Sequence, residues 1–91
     1  MRQYEKGMMV RSIAGHDHGK LYVIVDMQDE YLCLVDGSIR KLCNPKKKRM
    51  KHVQQINRVE TDLIQKKESN TLMDEHVKRA IKLYETSMKQ D

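Results

Sequence analysis

"GMMVRSIAGHDHGKLYVIV", residues 7–25, reads as two strands joined by a short polar loop. In the first strand Met9, Arg11 and Ile13 fall on one face, and Met8, Val10, Ser12 and Ala14 on the other; Arg11 makes the alternation imperfect. Gly15 and Gly19 bracket "GHDHG", the composition of a hairpin connection. The returning segment "LYVIVDM" is β-branched and nearly continuous in its apolar residues, as a strand buried on both sides requires.

The same pattern continues downstream. In "YLCLVDGSIRKL", residues 31–42, Asp36-Gly37 supplies the residues of a two-residue hairpin turn between apolar strands. That register sets Cys33 opposite Arg40 and Cys43 opposite Glu30, too far apart for disulfide geometry, so both thiols are expected to be reduced. After Pro45 and a basic run, "KHVQQI", residues 51–56, gives a last short strand. About five short strands separated by small turns predict a small antiparallel barrel over residues 1–58. Residues 59–71 are polar and read as a linker, although "RVETDLIQKK" has room for a turn or two of helix.

From Thr71 the period changes. Met73, Val77, Ala80, Ile81, Tyr84 and Met88 recur at helical spacing and predict an amphipathic C-terminal helix over 72–89, with Thr71 as N-cap. Asp74 and Glu75 suit the positive end of the helix dipole, and Asp74–Lys78 and Glu75–Arg79 are spaced for i,i+4 pairing. The apolar stripe is expected to pack on the barrel; the alternative is a docking face for a protein partner.

The chain has 91 residues and a formal charge of +5, unevenly spread. Residues 1–58 carry 12 basic and 6 acidic groups, whereas residues 59–91 carry 6 and 7. A basic body of this kind points to a polyanion. The charge concentrates in "NPKKKRMKHV", residues 44–53, with five cations in the six positions from Lys46 to Lys51. No apolar stretch approaches a membrane span, and no signal-peptide core follows the charged N-terminus, so a cytoplasmic protein is expected.

Residues 7–25 resemble a KOW motif, and the resemblance continues through "VDGSIRKLCNPKKKRMKHV", residues 35–53. Together they are similar to the small bacterial KOW-domain RNA-binding proteins related to the L14e class of large-subunit ribosomal proteins. The resemblance spans roughly residues 5–58 and nothing beyond. It implies an SH3-like barrel that binds structured RNA, ribosomal RNA of the large subunit above all, as an accessory ribosomal component or an assembly or translation factor. The positions it carries over are Gly15, Asp17, Gly19 and Lys20, then Asp36, Gly37, Arg40 and Lys41, then Pro45 to Lys48 with His52. His16 and His18 depart from the basic or polar residues expected in such a loop.

The residue chemistry points to the same places. Closely spaced phosphates need Lys and Arg on a rigid frame. Arg11, Lys20, Arg40, Lys41, Lys46, Lys47, Lys48, Arg49, Lys51 and His52 are the candidate RNA contacts, joined by His16, His18 and the backbone at Gly15 and Gly19. Asp17, Asp36, Gly37 and Pro45 are expected to shape the loops, Asp17 by accepting backbone hydrogen bonds. The basic run is expected to be a loop, residues 46–52, lying beside the loop of residues 15–20 so that both straddle phosphates. Replacing Lys46, Lys47 and Lys48 by Ala should then weaken binding and spare the fold.

Other readings of these residues are weaker. "PKKKRMK" also looks like a nuclear import signal, but a loop anchored at both ends is a poor host for one. A merely solvated run leaves its own repulsion unanswered. Tyr4, Tyr22 and Tyr31 could stack on the bases of a single strand, but core packing is the expected role of most of them. Four histidines and two cysteines include no CxxC or HxxxH pair, so no metal and no cofactor is expected. No phosphate loop, nucleophile elbow or paired base marks a catalytic centre, and the chain is not expected to be an enzyme. The acidic start of the C-terminal helix argues against a DNA recognition helix. An adaptor acting through the barrel and the stripe Met73, Val77, Ile81, Tyr84 and Met88 is the alternative function.

Overall fold

A computed structural model of the chain describes residues 4–88. The strands are β1 (Met8–Ser12), β2 (Leu21–Gln28), β3 (Tyr31–Val35), β4 (Lys46–Arg49) and β5 (Val53–Val59), followed by α1 (Thr61–Glu68) and α2 (Asp74–Met88). All strand pairs are antiparallel, in the order β4-β3-β2-β1-β5, and a 3-10 turn at Met50–His52 joins the two edge strands. The result is the mainly β architecture expected from the strand pattern: a curled, SH3-like half-barrel with a C-terminal helix. Register shifts between Met8 and Val10 and between Ile24 and Asp26 supply local bends, since a bulge sharpens the twist of its strand.

β2 explains why the sheet carries two cores. Tyr22 and Ile24 pack on one face with Val10, Leu32, Leu34 and Val53. Leu21, Val23 and Val25 pack on the other with Met9, Val35, Leu63, Val77, Ala80 and Ile81. The first five residues of β2, Leu21–Val25, are apolar at every position and buried on both sides, as their composition predicts, while Asp26 to Gln28 are exposed. α2 lays Val77, Ala80 and Ile81 on the second face, so the centre of its stripe is used within the chain. Met73 and Met88, at the ends of the stripe, stay 56% and 62% exposed.

Four local expectations are corrected. The Asp36-Gly37 hairpin does not form: β3 pairs with β4, Cys33 stands opposite Lys47, and residues 36–45 make a longer loop. The Asp36 carboxylate bends that loop by accepting hydrogen bonds from the backbone N–H groups of Ser38 (2.9 Å) and Arg40 (2.8 Å). The basic run is a strand through Arg49, not a loop; its aliphatic stems can cover Leu32 and Leu34, the register partners of Lys48 and Lys46. Thr71 is not the cap of α2. The helix begins three residues later, and His76 Nδ1 accepts the Met73 N–H at 3.0 Å, half of a capping box. Asp74 accepts the Leu42 N–H at 2.7 Å in place of the expected Lys78 pair.

The segment read as a polar linker is structured too. β5 runs on to Val59, and α1 buries Leu63 in the second core. Position 89, the expected last residue of the C-terminal helix, lies outside the described residues. No helix among the described residues is long and apolar enough to cross a membrane. Leu63→Ala should destabilise the protein by about 2 kcal/mol in urea unfolding, the lower end for a buried leucine. A linker residue would leave the midpoint unmoved.

Candidate nucleic-acid interface

Asp17 organises the first part of the site. Its Oδ1 accepts hydrogen bonds from Ser12 Oγ at 2.8 Å and Lys48 Nζ at 3.0 Å. Its Oδ2 accepts from Tyr22 Oη at 2.8 Å and lies 3.2 Å from Lys46 Nζ. Lys48 Nζ also donates to the Ala14 carbonyl at 2.9 Å. The 15–20 loop and the cationic strand are therefore brought together, as expected, but they are joined through a carboxylate. Side chains, not backbone N–H groups, satisfy Asp17.

The electrostatics follow from this geometry. Burial works to raise the pKa of Asp17, but the hydrogen bonds from Lys48, Ser12, Tyr22 and Lys46 outweigh it and hold the carboxyl well below the ordinary range. Burial and the hydrogen bond to the Asp17 carboxylate push the Tyr22 phenol well above its ordinary value. Lys48 is only 9% exposed, so its ammonium is a structural charge and not an outward-facing one.

A second carboxylate takes another expected contact. Lys20 Nζ lies 2.8 Å from Asp36 Oδ2, and its ammonium is 5.8 Å from the centre of the Tyr22 ring. Burial opposes ionisation of Asp36, but Lys20 and the N–H groups of Ser38 and Arg40 prevail and lower its pKa. Arg11 Nη1 donates to the Gly19 carbonyl at 2.9 Å, which ties β1 to the loop end. Gly37 packs against the first turn of α2, and Pro45 leads directly into β4.

The period of two divides the basic strand. Lys46 and Lys48 point towards Asp17; Lys47 and Arg49 point to the opposite face and are exposed. There Lys47 Nζ lies 5.2 Å and the Arg49 guanidinium 5.4 Å from the centre of the Tyr31 ring. Arg49 Nε donates to Tyr31 Oη at 3.1 Å. Lys41 is exposed in the 36–45 loop, Lys51 in the 3-10 turn, and His16 and His18 on the β1–β2 loop, while His52 and Arg40 are half-exposed. Among the described residues none of Lys41, Lys47, Arg49 and Lys51 forms an ion pair.

No protein-family model and no curated protein matches the chain.

Two features of the site go beyond the sequence reading. One is the setting of Tyr31, which nothing in the sequence distinguishes from Tyr4 and Tyr22. The other is the neutralisation of Lys20, Lys46 and Lys48 by Asp36 and Asp17. The first had a signal: taken as a strand, "KKKR" must place alternate cations on opposite faces, one of which meets the ring. The second had none, because Asp17 and Lys48 are 31 residues apart in the chain. Cys33 and Cys43 are both free thiols.

Proposed function

We propose that this chain binds structured RNA through the outward cations of its half-barrel, and acts on ribosomal RNA of the large subunit as an accessory, assembly or translation factor in the cytoplasm. The observation that carries the reading is the outer half of the basic strand. Lys47 and Arg49 sit two positions apart on one face of a rigid edge strand, Lys51 follows, and no carboxylate among the described residues pairs with any of them. Like charges held this close repel, and a chain of phosphates relieves that repulsion while releasing its own counterions. The resemblance of residues 5–58 to KOW-domain proteins supplies the ribosomal part of the proposal.

An adaptor acting through the C-terminal helix has less to work with. Val77, Ala80 and Ile81 already face the sheet, which leaves Met73, Leu83 and Met88 as its exposed apolar residues. Co-sedimentation with ribosomal particles across a salt series, with and without nuclease, separates the two. Binding through about six phosphates should weaken on the order of a thousandfold between roughly 50 and 200 mM salt. Migration at the top of the gradient at every salt would favour the adaptor.

The contacts can be tested singly. The double variant K47A/R49A should bind RNA more weakly and lower the slope of log affinity against log salt by about 2, roughly one for each phosphate no longer neutralised. Its unfolding midpoint should hold, because both side chains are exposed. An unchanged slope would remove these two residues from the interface.

A further inference from the structure

The chain has four tyrosines, and three are committed elsewhere. Tyr22 is buried with its hydroxyl on Asp17. Tyr4 donates to the Met50 carbonyl and packs against the first core. Tyr84 packs against the second, beside an Arg58 that is itself paired with Glu60. Tyr31 belongs to neither core. It lies on β3 opposite Arg49 of the edge strand β4, and Lys47, two residues from Arg49, is on the same face.

On the reading that the chain binds RNA, we propose that Tyr31, Lys47 and Arg49 form a platform for one unpaired nucleotide, its base stacked on the Tyr31–Arg49 surface and its flanking phosphates on Lys47 and Arg49. The hydrogen bond from Arg49 Nε to the phenol fixes guanidinium and ring relative to each other and leaves the other guanidinium N–H groups for a ligand. Both planar groups offer faces to a base, and stacking on them tolerates any base identity. Lys47 adds a point charge 5.2 Å from the same ring. Arg49 also lines a shallow recess with Glu30, Met50 and Lys51. A paired base is out of reach, since its neighbours in the helix cover both of its faces; the ligand is an unstacked base of a bulge or loop in otherwise folded RNA.

The test uses two short RNA hairpins, one fully paired and one with a single bulged 2-aminopurine. The unmodified protein should bind the bulged hairpin more tightly and quench the 2-aminopurine fluorescence, a readout that needs no variant. Y31L should lose about tenfold on the bulged hairpin, nothing on the paired one, and keep the salt slope, because no charge is removed. Y31F, which keeps the ring, should retain most of the preference for the bulge. Tight binding of both hairpins with equal affinity and no quenching would sink the platform and leave the RNA reading standing. Absence of binding to either hairpin at low salt would sink the RNA reading itself.

Discussion

Replacing Asp17 by Ala should destabilise the protein by about 3–5 kcal/mol, the range for breaking a buried ion pair by removing one partner. The loss is large because one carboxylate serves Ser12, Tyr22, Lys46 and Lys48, and its side chain is only 10% exposed. Lys48 would keep the Ala14 carbonyl and lose its counter-charge among apolar neighbours. Asn at position 17 should cost less, since its single carbonyl oxygen can still accept from Ser12 or from Tyr22, though not from both. The double variant D17A/K48M should recover much of the loss by replacing the stranded ammonium with an apolar side chain of similar length. Urea midpoints of the three proteins decide it. If D17A unfolds like the unmodified chain, Asp17 is a surface residue and Lys48 is available to a ligand after all.

The same carboxylate sets the acid limb. Its pKa is lowered on folding, so its contribution is fully present above the unfolded value near 3.9 and is lost as pH falls below about 4. Asp36 is lowered too and acts in the same direction, so D17N should flatten the acid limb without abolishing it. Tyr22 acts at the other end, where stability is lost as pH rises through about 10 and beyond. The consequence for function is direct. An alanine triple at Lys46, Lys47 and Lys48 would weaken the fold through Lys48, so a failure of that variant to bind RNA would not identify contacts. K47A/R49A leaves the Asp17 cluster intact and does.

β1, β2, β3 and β5, the two-sided burial of β2 and the packing of α2 were legible because each rests on a local pattern, a period of two or a continuous apolar run for the strands and a period of 3.6 for the helix. The loops were not, because their partners lie far along the chain. Asp36-Gly37 carries a sound hairpin signal, but the turn it starts is held open by bonds from Ser38 and Arg40 and by its contact with α2. Lys has low strand propensity, so "KKKR" does not read as a strand; pairing with Tyr31–Leu34 overrides that preference. Of the candidate site, the meeting of the 15–20 loop with the basic run was legible as clustered charge. Which cations face outward was not, since that depends on the register of β4 and on two carboxylates that claim three of them.

Gly37→Ala should be the other severe substitution, at about 3 kcal/mol or more. Two costs add. Gly37 has φ +80°, a conformation that penalises any residue with a Cβ by about 1–2 kcal/mol. A Cβ there would also meet the Asp74 carbonyl oxygen, and lie 2.8 Å from Lys78 N and 3.1 Å from Lys78 Cβ. These are mostly backbone atoms of the first turns of α2, so relief requires the helix itself to move. The helix start is tied to the same loop by the Leu42 N–H to Asp74 bond, and a shift would draw Val77 and Ile81 away from the sheet. Gly19→Ala is the matched control: φ is +90° there, yet a Cβ would meet nothing within 4 Å. It should show the conformational penalty alone. Thermal and urea unfolding of the two variants would therefore isolate the docking of the 36–45 loop on α2 as the difference between them. Equal losses in both would mean that the loop does not press on the helix and that α2 is held by its apolar face alone.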